Sequence, residues 1–215
     1  MNMRKINIIV ICLLCLFVAV PAIADMKVSL KNGTYGTTNG GEFNITVLDD
    51  PIGIYPKDAT FVSFCLETNE YINYTDEYYV TISTGAIKGG SGGSGGWNPD
   101  PLSPQSAYLY SLWIDGGITH NDGNANDLQK AIWYLEGENL GVNNFLVTQA
   151  NTAVAPGGAW FNIWGNTIGD IRVMNLWTEQ GGYAQDQLVR VPVPGAILLG
   201  LLGLGVAGLK LRKFA

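Results

Sequence analysis

The early part of the chain holds four short segments rich in Val, Ile, Thr, Tyr and Phe, at 27–30, 42–48, 60–66 and 77–83. That composition between turn signals predicts β-strands. The separators are Asn32-Gly33, Asn39-Gly40-Gly41 and Asp49-Asp50-Pro51, which supply turn chemistry. A run of Gly and Ser at 89–96 is too flexible for the interior of an element and predicts an exposed loop. After it the period changes. Ser103-Pro104 is an N-cap and first-turn pair for a helix through Ile114, ended by Asp115-Gly116-Gly117. Asn126 is expected to cap a second helix, with Leu128, Ala131, Ile132 and Leu135 on one face and Gly137 near its stop. A third helix is expected over 142–154, and strand-like composition returns at 170–177 and 187–191. The order predicts an α+β fold, a β-rich sheet or barrel with helices inserted between its strands.

The two ends follow neither period. Arg4 and Lys5 precede an apolar stretch from Ile6 to Val20, and Ala22-Ile23-Ala24 offers small residues at cleavage positions. This predicts a Sec signal peptide over 1–24, cut after Ala24. At the other end, Pro192-Val193-Pro194 leads into a Gly-rich apolar run and a basic tail with Lys210, Arg212 and Lys213. About 20 residues from Pro192 to Leu211 suffice to span a bilayer as a helix. The basic cluster would then stay on the cytoplasmic side, leaving 25–190 outside.

Charge sharpens the division. The chain as a whole carries −6, but all eighteen acidic residues and only seven of the twelve basic ones lie within 25–191, a net charge of −11. An acidic middle with dispersed Lys and Arg excludes a nucleic-acid interface. Of three cysteines, Cys12 and Cys15 fall in the leader, so Cys65 is alone in the middle and has no internal disulfide partner. With His120 the one histidine, no thiolate or imidazole zinc site is expected, and neither is any cofactor.

The C-terminal stretch VPVPGAILLGLLGLGVAGLKLRK resembles the PEP-CTERM sorting signal: a Pro-x-Pro motif, a transmembrane helix and a basic cluster. Val193 stands where the commonest form has Glu. The resemblance implies Sec export, transient anchoring in the inner membrane, and processing by an exosortase-type enzyme. Release to the cell surface or an exopolysaccharide matrix follows from it.

Cys65 sits in the strand-like Phe64-Cys65-Leu66, and Gln129 opens Gln129-Lys130-Ala131-Ile132-Trp133 in the first turn of the second helix as expected above. A thiol and a carboxamide held together in a dry pocket can lose ammonia and become an internal thioester, an acyl electrophile open to an amine or hydroxyl. Both stretches resemble the thioester domains of bacterial surface adhesins, with Leu128 in place of their usual Thr. The resemblance implies a thioester-domain-like fold for 25–190, Cys65 and Gln129 as the bonded pair, and a non-enzymatic adhesive or structural role. The alternatives are a buried, reduced Cys65 that only fills space, and a non-covalent polysaccharide-binding module using exposed aromatics among Trp97, Trp113, Trp133, Trp160, Trp164 and Trp177.

Other constellations carry less. Cys65, His120 and Asp122 can be drawn as a hydrolase triad, but His120 falls in a polar segment where a solvated turn is the expectation. Residues 122–127 superficially resemble a calcium loop, yet Asp127 and Trp133 occupy the positions of its Gly and Glu. Glu67, Glu70, Glu136 and Glu138 are expected on a solvated acidic face, not as a glycosidase pair.

Overall fold

In the β1–β2 hairpin, every second residue of β1 (Met26–Asn32) is buried, with Met26, Val28 and Leu30 at zero exposure. The same alternation in β2 (Gly41–Asp49) buries Phe43, Ile45 and Val47. This two-residue period is what turns the sequence into strands with one apolar face. The structure is a computed structural model that describes residues 26–37, 41–51, 53–87 and 100–191. The expected signal peptide with Ala22 and Ala24 and the Gly/Ser run at 89–96 lie outside the described residues. So does the sorting segment with Pro192, Val193, Pro194, Lys210, Arg212 and Lys213. Among the described residues, no helix is long and apolar enough to cross a membrane.

The fold is α+β. Further strands are β3 (Thr60–Phe64), β4 (Glu77–Ser83), β5 (Gly85–Ala86), β6 (Asp100–Pro101), β7 (Ile171–Trp177) and β8 (Tyr183–Arg190). Four of these join β1 and β2 in one antiparallel sheet in the order β3-β2-β1-β4-β7-β8, while β5 and β6 pair separately. The outer strands then meet. Cys65 bridges to Gln187, the Leu66 N–H donates to the Asp186 carbonyl at 3.1 Å, and the Ser63 hydroxyl donates to the Leu188 carbonyl at 2.6 Å. That seam closes the sheet on itself and removes two raw edges.

Among the described residues the helices sit between β6 and β7: α1 (Pro104–Ile114), α2 (Asp122–Leu135), α3 (Phe145–Val154) and α4 (Ala159–Trp164). Ser103 caps α1 by accepting from the Ser106 N–H, with proline in the first turn as expected. α2 corrects the expected start. Its cap is Asn121, which accepts from the Asn124 N–H at 2.8 Å, while Asn126 inside the helix bonds Thr37 through both ends of its carboxamide. Residues 122–127 are therefore the opening turns of a helix, and the calcium-loop comparison does not survive. α3 begins at its cap, Asn144, a little later than expected, and α4 was not anticipated.

The helices pack over one face of the strands, around Leu109, Trp113, Leu128, Ile132, Leu146 and Trp160 together with Phe64, Val173 and Leu188. A second core holds Val28, Phe43, Ile45, Tyr78, Met174, Leu176 and Val189 from the other strand faces, joined by Cys65 and by Trp133 from α2. A buried carboxylate ties the layers. Glu42 in β2 accepts from the Trp113 indole N–H at 3.0 Å and from the Thr34 N–H at 2.9 Å. Truncating it orphans a buried indole and a backbone donor. Glu42→Ala is expected to cost about 2–4 kcal/mol in equilibrium urea unfolding, whereas Glu77→Ala on the exposed side of the sheet is expected to change stability by less than about 1 kcal/mol.

Candidate functional site

Along a strand, the N–H and C=O of one residue point to the same side and those of the next residue to the other side. At the end of β3 the Leu66 N–H faces β8. The Cys65 N–H and C=O therefore face away from it, toward the place where β2 begins. β2 does not extend far enough to pair with them, since its last partner on β3 is Gly41 opposite Phe64. Gln129 fills the vacancy. Its Oε1 accepts from the Cys65 N–H at 3.2 Å, and its Nε2 donates to the Cys65 carbonyl at 2.8 Å. The carboxamide behaves as a single residue of an extra strand, presented from the third turn of α2 and not from the first. Both Cys65 and Gln129 are at zero exposure.

The structure thus brings together the two residues that the sequence singles out. Two further positions shape the pocket. A Cβ on Gly41 would lie 2.7 Å from Gln129 Oε1 and 2.7 Å from a ring carbon of Phe64, so the carboxamide fits only because position 41 has no side chain. Trp133, one helical turn beyond Gln129, places its indole N–H beside the sulfur, though the geometry falls short of a regular hydrogen bond and Nε1 has no other partner among the described residues. The thiol lies 3.5 Å from the Glu67 carbonyl, toward which it donates. Burial pushes the Cys65 thiol well above its ordinary range, and the Trp133 N–H opposes that rise. Cys65 is buried and takes part in no disulfide.

The acidic residues overturn an expectation. Glu67, Glu70 and Glu138 are buried, at 1%, 5% and 8% exposure, and do not form a solvated face. Glu136 is half-buried, and it accepts from the Ser103 N–H and hydroxyl at 3.3 and 2.7 Å and so supports the cap of α1. Glu67 and Glu70 meet Asp186 of β8, with one carboxylate oxygen from each within 4.8 Å of the others. Burial first, then the Glu70 carboxyl and the charge of Asp186, push Glu67 up to about 10. Burial likewise lifts Asp186 to about 7, against hydrogen bonds from the Ile87 N–H and the Asn175 side chain. A cavity of about 370 Å³ opens from this corner to solvent, lined by Thr68, Glu70, Tyr71, Tyr74, Trp133 and Gln185 among others.

The hydrolase triad is not assembled. His120 is exposed, stacks on the Trp113 ring at 4.2 Å and contacts the Trp113 carbonyl through Nε2 at 2.8 Å. Asp122 instead accepts from the Gly36 N–H. Of the tryptophans, Trp113, Trp133 and Trp160 are core residues, and Trp97 lies outside the described residues. The contributions of Gly41 and Asp186 were not foreseen. In the sequence Gly41 reads only as a turn residue, and no local pattern pairs Asp186 with Glu67.

Because the Gly41 approach is so close, Gly41→Ala is expected to destabilise the fold by about 1–3 kcal/mol through overpacking. It is also expected to speed hydrogen–deuterium exchange at the Cys65 amide, whose Gln129 acceptor it crowds. An exchange rate equal to wild type would show that the tight approach does not hold the carboxamide in place.

With that geometry in view, no protein-family model, no curated protein and no solved structure matches the chain.

Proposed function

We propose that the chain is an exported, non-enzymatic surface or matrix protein that stores an acyl electrophile as an internal thioester between Cys65 and Gln129. The observation that carries this reading is the two-point pairing of the Gln129 carboxamide with the Cys65 backbone at zero exposure. In the bond-forming step the sulfur adds to Cδ of Gln129. The carboxamide nitrogen leaves as ammonia with the thiol proton. The Cys65 N–H already donates to Oε1, where negative charge develops during that addition, and a preorganised donor there lowers the barrier. Exclusion of water then protects the product. An amine or hydroxyl on another molecule would later attack the same carbon. It would be acylated, and the sulfur would recover a proton.

Export through the Sec translocon and trimming by an exosortase-type enzyme belong to the same proposal, on the strength of the terminal sequences. A second reading, a non-covalent polysaccharide-binding module, draws on the cavity lined by Trp133 and Glu70, where Tyr71 is 82% and Tyr74 44% exposed. Such ring faces stack on sugars.

Intact mass is the direct test. The purified chain is expected to weigh one ammonia less than its sequence, and Cys65→Ala and Gln129→Ala are each expected to abolish that deficit. Gln129→Ala also leaves two buried backbone groups of Cys65 without partners, so a stability loss of about 1–3 kcal/mol should accompany it. A mass equal to the sequence, together with a single titratable thiol after unfolding, overturns the covalent reading. Glycan-array binding that persists in Cys65→Ala would favour the second.

A further inference from the structure

Glu67 poses a problem that its surroundings do not solve. It is 1% exposed, and among the described residues no donor makes a hydrogen bond to either of its carboxylate oxygens. Its side-chain neighbour is another carboxyl, Glu70, and the charges of Asp186 and Glu138 act on it as well. Two basic residues of the sheet are engaged elsewhere: Lys27 pairs with Glu77, and Arg190 pairs with Asp115 and Asp170. Buried carboxylates without a cation are costly, and the ordinary remedies are shared protons or a bound metal ion.

We propose that Glu67, Glu70 and Asp186 bind a hard divalent cation, Ca²⁺, at the seam between β3 and β8. Three carboxylate oxygens within 4.8 Å of one another suit an ion whose ligands stand about 2.3–2.6 Å away. The donor set is all carboxylate oxygen, the preference of Ca²⁺ and not of thiophilic metals. Asp186 is already oriented, since its Oδ2 accepts from the Ile87 N–H at 2.7 Å. The cavity lined by Glu70, Thr68 and Gln185 gives the ion and its remaining water ligands a way in. No local motif in the sequence marks this site, because Asp186 lies far along the chain from Glu67 and Glu70.

The position gives the ion a role. Glu67 lies two residues past Cys65, and Asp186 precedes Gln187, the residue that bridges to Cys65. An ion held by both ties the strands where the sheet closes, beside the thiol. This site does not depend on a bond between Cys65 and Gln129, and its test does not use that bond.

The full chain, dialysed against EDTA and then against chelator-free buffer, is titrated with CaCl2 by calorimetry, and its thermal midpoint is followed with and without Ca²⁺. One saturable site is expected, with a midpoint raised by several degrees. Glu67→Gln and Asp186→Asn should each weaken binding about tenfold or more, while Glu77→Gln, on an exposed acid, should leave it unchanged. Absence of saturable binding overturns the proposal and leaves a proton-sharing carboxyl cluster. So does a midpoint shift that persists in Glu67→Gln, which would mark diffuse surface binding. Should the variants fail to fold, Tb³⁺ luminescence sensitised by tryptophan in the wild-type chain decides the matter. Stoichiometric displacement by Ca²⁺ supports the site, and no sensitised emission overturns it.

Discussion

The alternation of backbone polar groups along β3 governs the chemistry of this molecule. Phe64 and Leu66 turn their polar groups one way and Cys65 the other. The Leu66 N–H is spent closing the sheet onto β8, so the groups of Cys65 must be satisfied by something outside the sheet. Buried backbone groups are almost never left unpaired. Gln129 meets that demand from a helix, and in doing so it brings an amide carbon alongside a thiol-bearing residue. One arrangement therefore serves the closure of the fold and the assembly of the pocket.

The same alternation distributes side chains between the two cores. Phe64 and Leu66 face the helical layer, while Cys65 faces the strand core with Val28, Ile45 and Met174. Trp133 alone crosses from α2 into that second core, and it arrives beside the sulfur. β8 is buried on both faces, which explains why Gln185, Asp186 and Gln187 occur together in its interior: each has a partner or a cavity to address. The Gln185 carboxamide donates to the Glu67 carbonyl at 3.0 Å, so the seam is held by side chains as well as by backbone.

Much of this was legible in the sequence, for reasons that differ by element. β4 and α1 carry their own boundaries, in a β-rich run between turns and in the Ser103-Pro104 cap, and the structure ends them where those signals lie. The start of α2 was misplaced because its opening turns are polar. Asn121, Asn124 and Asn126 all have capping chemistry, and the apolar stripe that marks the helix begins only at Leu128. The proximity of Cys65 and Gln129 was anticipated from a motif likeness and not from physics, since neither residue signals its partner. The burial of Glu67, Glu70 and Glu138 left no trace in composition. A carboxylate in a loop looks the same whether it meets water or the end of a distant strand.

Total enclosure of Cys65 and Gln129 has a kinetic meaning. A reagent, a water molecule or a partner's nucleophile reaches them only when the seam or the adjoining cavity opens, and such local openings have their own free energy below that of global unfolding. On the proposed thioester reading, durability in solvent and readiness toward a partner are thus two aspects of one opening equilibrium. Strengthening the seam lengthens the shelf life of whatever the pocket holds and slows its delivery in equal proportion, unless a partner binds the open form and shifts that balance itself.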